Sequence, residues 1–231
     1  MNNGPTCIGI NGLKYAGKDT LYQLFPALIA SVTKLELARP LKSILIEHFG
    51  FSESDCYDAV HKEDFNEFWG FTNRQAMERI GNGLREVFHP EVWVKLTKLK
   101  IQESLNKGFL PIVTDVRYPN EAEMIHNLGG IVINISNPRT RVVYVDQEIP
   151  TSEIPLSLSY IDYAIVNDET IVELYSRFIR IYGEELIRPL QAIYGKKNTR
   201  QYLLSLRGSA EVPFDAQVAL NELFPQNYTK Q

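Results

Sequence analysis

Two stretches of this chain carry residues whose types and spacing suit the handling of phosphate. The first reads Gly12-Leu13-Lys14-Tyr15-Ala16-Gly17-Lys18-Asp19-Thr20. It has the form G-x-x-x-x-G-K of a phosphate-binding loop. Its glycines let backbone N–H groups turn toward phosphate oxygens, and the helix expected after it adds the positive end of its dipole. Ala16, Gly17, Lys18, Asp19 and Thr20 are the candidate contacts to a nucleoside triphosphate, with Lys18 bridging the β- and γ-phosphates. The common pattern has Ser or Thr directly after the lysine, to ligate Mg²⁺ through its hydroxyl. Here that position is Asp19, which can take a metal directly or through water. Thr20 can then bond the α-phosphate. Lys14 is a second cation inside the loop. It is either an exposed surface lysine or a contact to the group that accepts a phosphate, and Gly12 belongs with it.

The second stretch is Phe109-Leu-Pro-Ile-Val-Thr-Asp115, apolar and closing on an acid. A carboxylate at the tip of a buried strand can hold Mg²⁺ through water or orient an acceptor. Arg117 follows two residues later. Asp19 and Asp115 are therefore the candidate metal ligands, and Lys18, Asp115 and Arg117 the candidate catalytic groups. Glu121 and Glu123 fall on the first turns of the next helix, where helix capping is the default for acids. Of the two, Glu121 is the more site-facing.

Phosphoryl transfer also needs positive charge around the moving group and a shielded site. Arg39 and Lys42 follow the expected second strand. Arg74, Arg79 and Arg85 lie on one expected helix, with Arg74 and Arg85 about three turns apart on a common face. Arg139 and Arg141 sit in a stretch without periodicity, as lid arginines would. Singly, each reads first as a solvated charge; as a group, two or three are expected to converge on the site. Phe68, Trp69 and Phe71 read as packing before base stacking. Four scattered histidines form no catalytic constellation.

The elements that must position these groups alternate. Thr6–Asn11 reads as a buried strand, Lys18 to about Ile29 as a helix, and Lys34–Ala38 as a second strand. A helix begins at Pro40 and ends at Gly50. Residues 51–72 resist assignment. Helices are expected over Asn73–Val87 and from Pro90 to about Leu105. A strand follows over Phe109–Thr114, then a helix over Pro119–Leu128 and a strand over Ile131–Ile135. After the loop 136–152 come a strand, Tyr163–Val166, and a helix, Thr170–Ile181. Beyond Gly183 the chain reads as helical and polar. Strands alternating with helices imply an α/β fold of three layers with a mostly parallel sheet, whose ligands bind at the carboxyl ends of the strands. The organisation expected is a core over 1–183, with a helical insertion over 40–105 and a lid over 136–152. A helical extension over 184–231 would pack on the same domain.

Composition narrows the classes. Of 231 residues, 44% are apolar, enough for a sizeable core. The net charge of −4 weighs against a broad duplex-binding surface but not against a single nucleotide. No apolar run is long enough for a membrane span, and Met1–Pro5 lacks the form of a signal peptide. Two cysteines, Cys7 and Cys56, give no disulfide framework and no zinc spacing, which fits a reducing cytoplasm.

Several blocks together resemble bacteriophage deoxynucleoside monophosphate kinases. They are the loop Gly12–Thr20, Ala38-Arg39-Pro40-Leu41-Lys42, and Arg74-Gln75 with Ile80-Gly81, Arg85 and Trp93-Val94. The most particular is Thr114-Asp115-Val116-Arg117-Tyr118-Pro119-Asn120-Glu121-Ala122. Ser152-Glu153, Asp162 and Asn167-Asp168 also fit, and the likeness runs over about 6–180. The resemblance implies a P-loop core like that of nucleoside monophosphate kinases, with a monophosphate-binding helical part and a lid. It implies ATP and Mg²⁺, and a deoxynucleoside monophosphate (dNMP) converted to its diphosphate for DNA synthesis in the cytoplasm, that of a host if the chain is phage-encoded. Such kinases often pair, so a homodimer is expected. Lys14, Arg39, Lys42, Arg74, Arg85, Arg117, Glu121, Ser152 and Glu153 would then serve the acceptor, and Arg139 or Arg141 the lid. Arg39 stands where such proteins often carry an acid. The competing readings are a P-loop kinase of the dephospho-coenzyme A or phosphomevalonate type, and a non-catalytic nucleotide-binding protein.

Overall fold

The computed structural model describes residues 4–140 and 154–197. The chain divides into two compact units. The first holds residues up to Lys34 and from Glu103 onward, and the second is Leu35–Gln102.

The first unit is built on a sheet of five strands. They are β1 (Ile8–Asn11), β2 (Val32–Leu35), β5 (Leu110–Val116), β6 (Ile131–Ser136) and β7 (Tyr163–Val166), in the order β2-β5-β1-β6-β7. β1 pairs in parallel with β5 and with β6, and β6 in parallel with β7. The α/β expectation is met, and β1 lies at the centre. That is why Ile8–Asn11 is buried throughout and reads as an apolar run rather than an alternation. Between Gly9 and Asn11 the register against β5 shifts by an irregularity.

The helices of this unit are α1 (Lys18–Leu28), α6 (Pro119–Asn127) and α7 (Ile171–Tyr182), with α8 (Arg188–Tyr194) after a π-helical turn over Gly183–Ile187. Leu21, Leu24, Phe25 and Leu28 of α1 meet Leu174 and Phe178 of α7 in one core with Ile8, Ile10 and Ile112. Phe25 and Phe178 pack edge to face with centroids 5.9 Å apart. Thr170 caps α7 in a reciprocal box with Glu173.

Among the described residues after Gly183, the chain is helical as far as Tyr194 and has an apolar face. Leu186, Ile187 and Leu190 are buried in the same core. Gln191 donates to the Leu28 carbonyl at 3.0 Å, and the Ser31 N–H to the Tyr194 carbonyl at 3.2 Å. At the edge strand β7, the Tyr182 hydroxyl donates to the Ala164 carbonyl at 2.6 Å and accepts the Ala164 N–H at 3.3 Å.

One strand lies earlier than its expected span. β2 is Val32–Leu35, not Lys34–Ala38. The β-branched pair Val32-Thr33 takes the strand, while Glu36–Arg39 forms a turn closed by the Arg39 N–H on the Glu36 carbonyl.

The second unit is helical: α2 (Arg39–Phe49), α3 (Glu53–Tyr57), α4 (Asn73–Val87) and most of α5 (Val92–Asn106). The unassigned stretch contains α3, one 3₁₀ turn (His61–Glu63) and a short hairpin of β3 (Phe65–Asn66) and β4 (Phe71–Thr72). Its core gathers Leu45, Phe51, Cys56 and Ala76, with Trp69 and Phe71 packed against it. Trp69 also donates its indole N–H to the Phe49 carbonyl at 3.1 Å. Trp69 and Phe71 are thus packing residues, while Phe68 is 83% exposed.

Candidate active site

The phosphate loop joins β1 to α1, strand to helix as its motif requires. Its backbone is unusual at three places. Gly12 and Gly17 have φ of 157° and 101°, and Tyr15 has φ of 65°, which a residue with a side chain seldom adopts. Gly12 also lies against β6: an added Cβ would come 2.4 Å from the Ile135 carbonyl.

The loop's carbonyls are turned toward partners in the protein. Lys18 Nζ donates to the carbonyls of Gly12 at 2.7 Å and Leu13 at 2.9 Å. Thr140 Oγ1 donates to Tyr15 O at 3.3 Å, and Asn167 Nδ2 to Ala16 O at 3.0 Å. The Tyr175 hydroxyl reaches Thr20 O at 2.9 Å. The Ala16 N–H donates to the Leu13 carbonyl at 3.1 Å, whereas the Gly17 N–H lies opposite the held Ala16 carbonyl at a helix start, where an anion is attracted. The Lys14 ammonium stands 5.0 Å from the centre of the exposed Tyr15 ring.

Beside the loop is a cleft of about 210 Å³, lined among others by Gly12, Ala16, Asn134, Thr140 and Arg117. It opens at the carboxyl ends of β1 and β6, where ligands of parallel sheets bind. Its floor is a pair of amides. Buried Asn11 donates to the Val116 carbonyl at 2.8 Å and accepts from Asn134 Nδ2 at 2.6 Å. These bonds tie the ends of β5, β1 and β6 together.

Asp115 is the penultimate residue of β5, half-buried, with Arg117 just beyond the strand. Glu121 is 3% exposed. Its carboxylate accepts the N–H groups of Arg117 at 2.7 Å and Tyr118 at 3.0 Å. It caps α6 and fixes the backbone from which Arg117 projects. Asp19 is mostly exposed and pairs with Lys34 at 2.7 Å. Among the described residues no group of three or more His, Cys, Asp or Glu side chains is placed to hold a metal.

Arg139 lies in a turn after β6, where its N–H donates to Asn137 Oδ1 at 2.9 Å. Asp168, after β7, has its pKa lowered mainly by its hydrogen bond from Arg177, with a smaller push from Arg139. Arg177 holds Asp168 at 2.7 Å. Arg141, Ser152, Glu153 and the expected lid beyond Thr140 lie outside the described residues, as does the chain beyond 197.

The remaining predicted cations belong to the second unit. Lys42 pairs with Glu36 at 3.2 Å and sits 3.9 Å over the Tyr57 ring. Burial raises the Tyr57 pKa, Glu36 raises it further, and Arg39 lowers it. Those four side chains therefore form one polar group at the start of α2. Arg74 pairs with Glu63, and Arg85 Nη1 lies 3.3 Å from Asn82 Oδ1. A hollow of about 400 Å³ runs along α4 past Gln75, Arg79 and Glu86, without Arg74 or Arg85 in its lining.

Sequence reading did not single out Asn11, Asn134, Thr140 or Glu36, and it gave Asn167 no role. Asn11 and Asn134 had a visible signal, an amide inside an apolar strand. Thr140 and Asn167 had none, because each looks like an ordinary turn residue.

A family model described as deoxynucleotide monophosphate kinase matches residues 56–178. A protein of Acanthamoeba polyphaga mimivirus named for the same kinase is 30% identical over 185 residues, which is 74% of this chain and 93% of that one. The chain belongs to the deoxynucleotide monophosphate kinase family. The deoxynucleotide monophosphate kinase of Escherichia phage RB69 is 28% identical over 138 residues, covering 57% of this chain and 54% of its own length. A dephospho-CoA kinase of Campylobacter jejuni superposes with a TM-score of 0.38 and 14% identity, over 78% of this chain and 96% of that one. The family match includes Asp115, Arg117 and Glu121 and begins after the phosphate loop. Among the described residues no helix is long and apolar enough to cross a membrane.

Proposed function

We propose that this protein transfers the γ-phosphate of ATP to a dNMP, yielding ADP and the deoxynucleoside diphosphate. The observation that carries this reading is the phosphate loop itself, a strand-to-helix turn whose Tyr15 and Ala16 carbonyls are held by Thr140 and Asn167, in a member of this kinase family. Family membership favours a dNMP acceptor over dephospho-coenzyme A or phosphomevalonate.

In-line transfer needs no covalent intermediate, so positioning and charge neutralisation do the work. Ala16–Thr20 would seat the triphosphate, and Gly12 would border the acceptor with Lys14. Lys18 would hold the β- and γ-phosphates. Arg117, on the cleft wall, would neutralise charge on the transferred group, aided by Arg139 or Arg141. Lys14 would meet the acceptor phosphate, and Arg39, Lys42, Arg74, Arg85, Ser152 and Glu153 are its other proposed partners. The donor set suits Mg²⁺ carried mainly by the nucleotide's own oxygens and waters, with Asp115 as the protein carboxylate. Mg²⁺ held this way would offset the phosphate charge. Asp19, already paired with Lys34, would act on it only through water.

A coupled ADP-release assay across the four dNMPs tests the proposal. ADP formed with at least one of them is expected. Tight ATP binding without ADP release for any monophosphate would overturn it.

A further inference from the structure

The phosphate loop is braced by a side chain that the transfer chemistry does not itself use. Asn167 is the first residue after β7, and its backbone N–H donates to the Ser136 carbonyl at 2.7 Å. Its carboxamide donates to the Ala16 carbonyl at 3.0 Å, across 151 residues of chain. A peptide unit is planar and trans, so its C=O and N–H point in opposite directions. Holding Ala16 O toward Asn167 therefore turns the Gly17 N–H the other way. The approach is close: a Cβ on Gly17 would lie 2.4 Å from Asn167 Nδ2. Gly17 is thus needed for its φ of 101° and also to let the amide in. The turn that carries Asn167 is fixed as well. Arg177 donates to the Val166 carbonyl at 2.8 Å and to Asp168 at 2.7 Å, one residue on each side.

We infer that Asn167 is a positioning residue for the donor nucleotide, setting the Ala16–Gly17 peptide so that the Gly17 N–H meets a triphosphate oxygen. This rests on the proposed ATP-dependent transfer but concerns the donor alone. The amide chemistry is specific. An aspartate has the same shape but lacks the N–H, and its charge would repel both the Ala16 carbonyl and the phosphates.

Asn167→Ala and Asn167→Asp test this. ATP affinity is read with a fluorescent ATP analogue in the absence of acceptor, and KM is then measured separately for ATP and for the dNMP. In Asn167→Ala, Kd and KM for ATP should rise about five- to tenfold, the effect of one hydrogen bond. Asn167→Asp should be worse. KM for the dNMP and the melting temperature should stay near wild type. Unchanged ATP binding in both variants would overturn the inference. So would a parallel rise in both KM values with a lowered melting temperature, which marks general loss of structure. Asn167-dependent ATP binding in a protein that phosphorylates no dNMP would support this inference while overturning the proposed function.

Discussion

Lys18 and Lys14 share one loop but are expected to fail differently. Lys18 lies with its ammonium against the carbonyls of Gly12 and Leu13, at the mouth of the loop. Lys18→Ala should lower kcat by at least about a hundredfold, the scale of losing one preorganised charge at a developing transition state. Lys14→Ala should mainly raise KM for the dNMP, and unchanged acceptor kinetics would remove Lys14 from the site. Glu121 presents a different case. Its buried carboxylate accepts two backbone N–H groups. Glu121→Ala would remove both bonds and should cost about 2–4 kcal/mol in a urea melt. A rise in dNMP KM without that loss of stability would make Glu121 a substrate ligand rather than a cap.

At the scale of elements, the turn between β7 and α7 is held by Arg177 on Asp168. That bond keeps the Asp168 carboxyl below its ordinary value of 3.8. A depressed carboxylate stabilises the fold above its unfolded pKa, and the contribution disappears as pH falls through the folded one. The gap in melting temperature between wild type and Arg177→Met should hold steady at neutral pH and narrow below the ordinary value of 3.8. A gap that widened in acid would contradict this.

Elements were the most legible level of the sequence. β1, α1, α4 and β7 lie where periodicity, glycine and capping residues put them, because those signals are local. β2 was displaced because Lys34–Ala38 alternates as a strand does, while its last residues serve a turn. The phosphate-loop motif was legible for the same local reason. Its braces were not, since Thr140 and Asn167 meet it across 125 and 151 residues and nothing near either one announces the pairing.

At the scale of the whole chain, the family match ends at residue 178, yet the core continues past it. Leu186 and Leu190 are at most 1% exposed and lie among the residues that pack on β1 and α1. Leu190→Ala should therefore destabilise the protein by about 2–5 kcal/mol in urea unfolding. A near-neutral result would make this segment an appendage. The polar look of the sequence after Gly183 concealed this face, because Glu184, Glu185, Arg188 and Gln191 are interspersed among its three buried side chains.

The hydroxyl of Tyr182 closes the sheet in another sense. A strand at the rim of a sheet offers its backbone to any passing chain, and many proteins meet that hazard with charge or proline. Here a phenol from the neighbouring helix occupies both backbone groups of Ala164, at the middle of β7. A second molecule that docked strand to strand would first have to dislodge it. One tyrosine thus guards the rim of the sheet against pairing with a second copy of the chain.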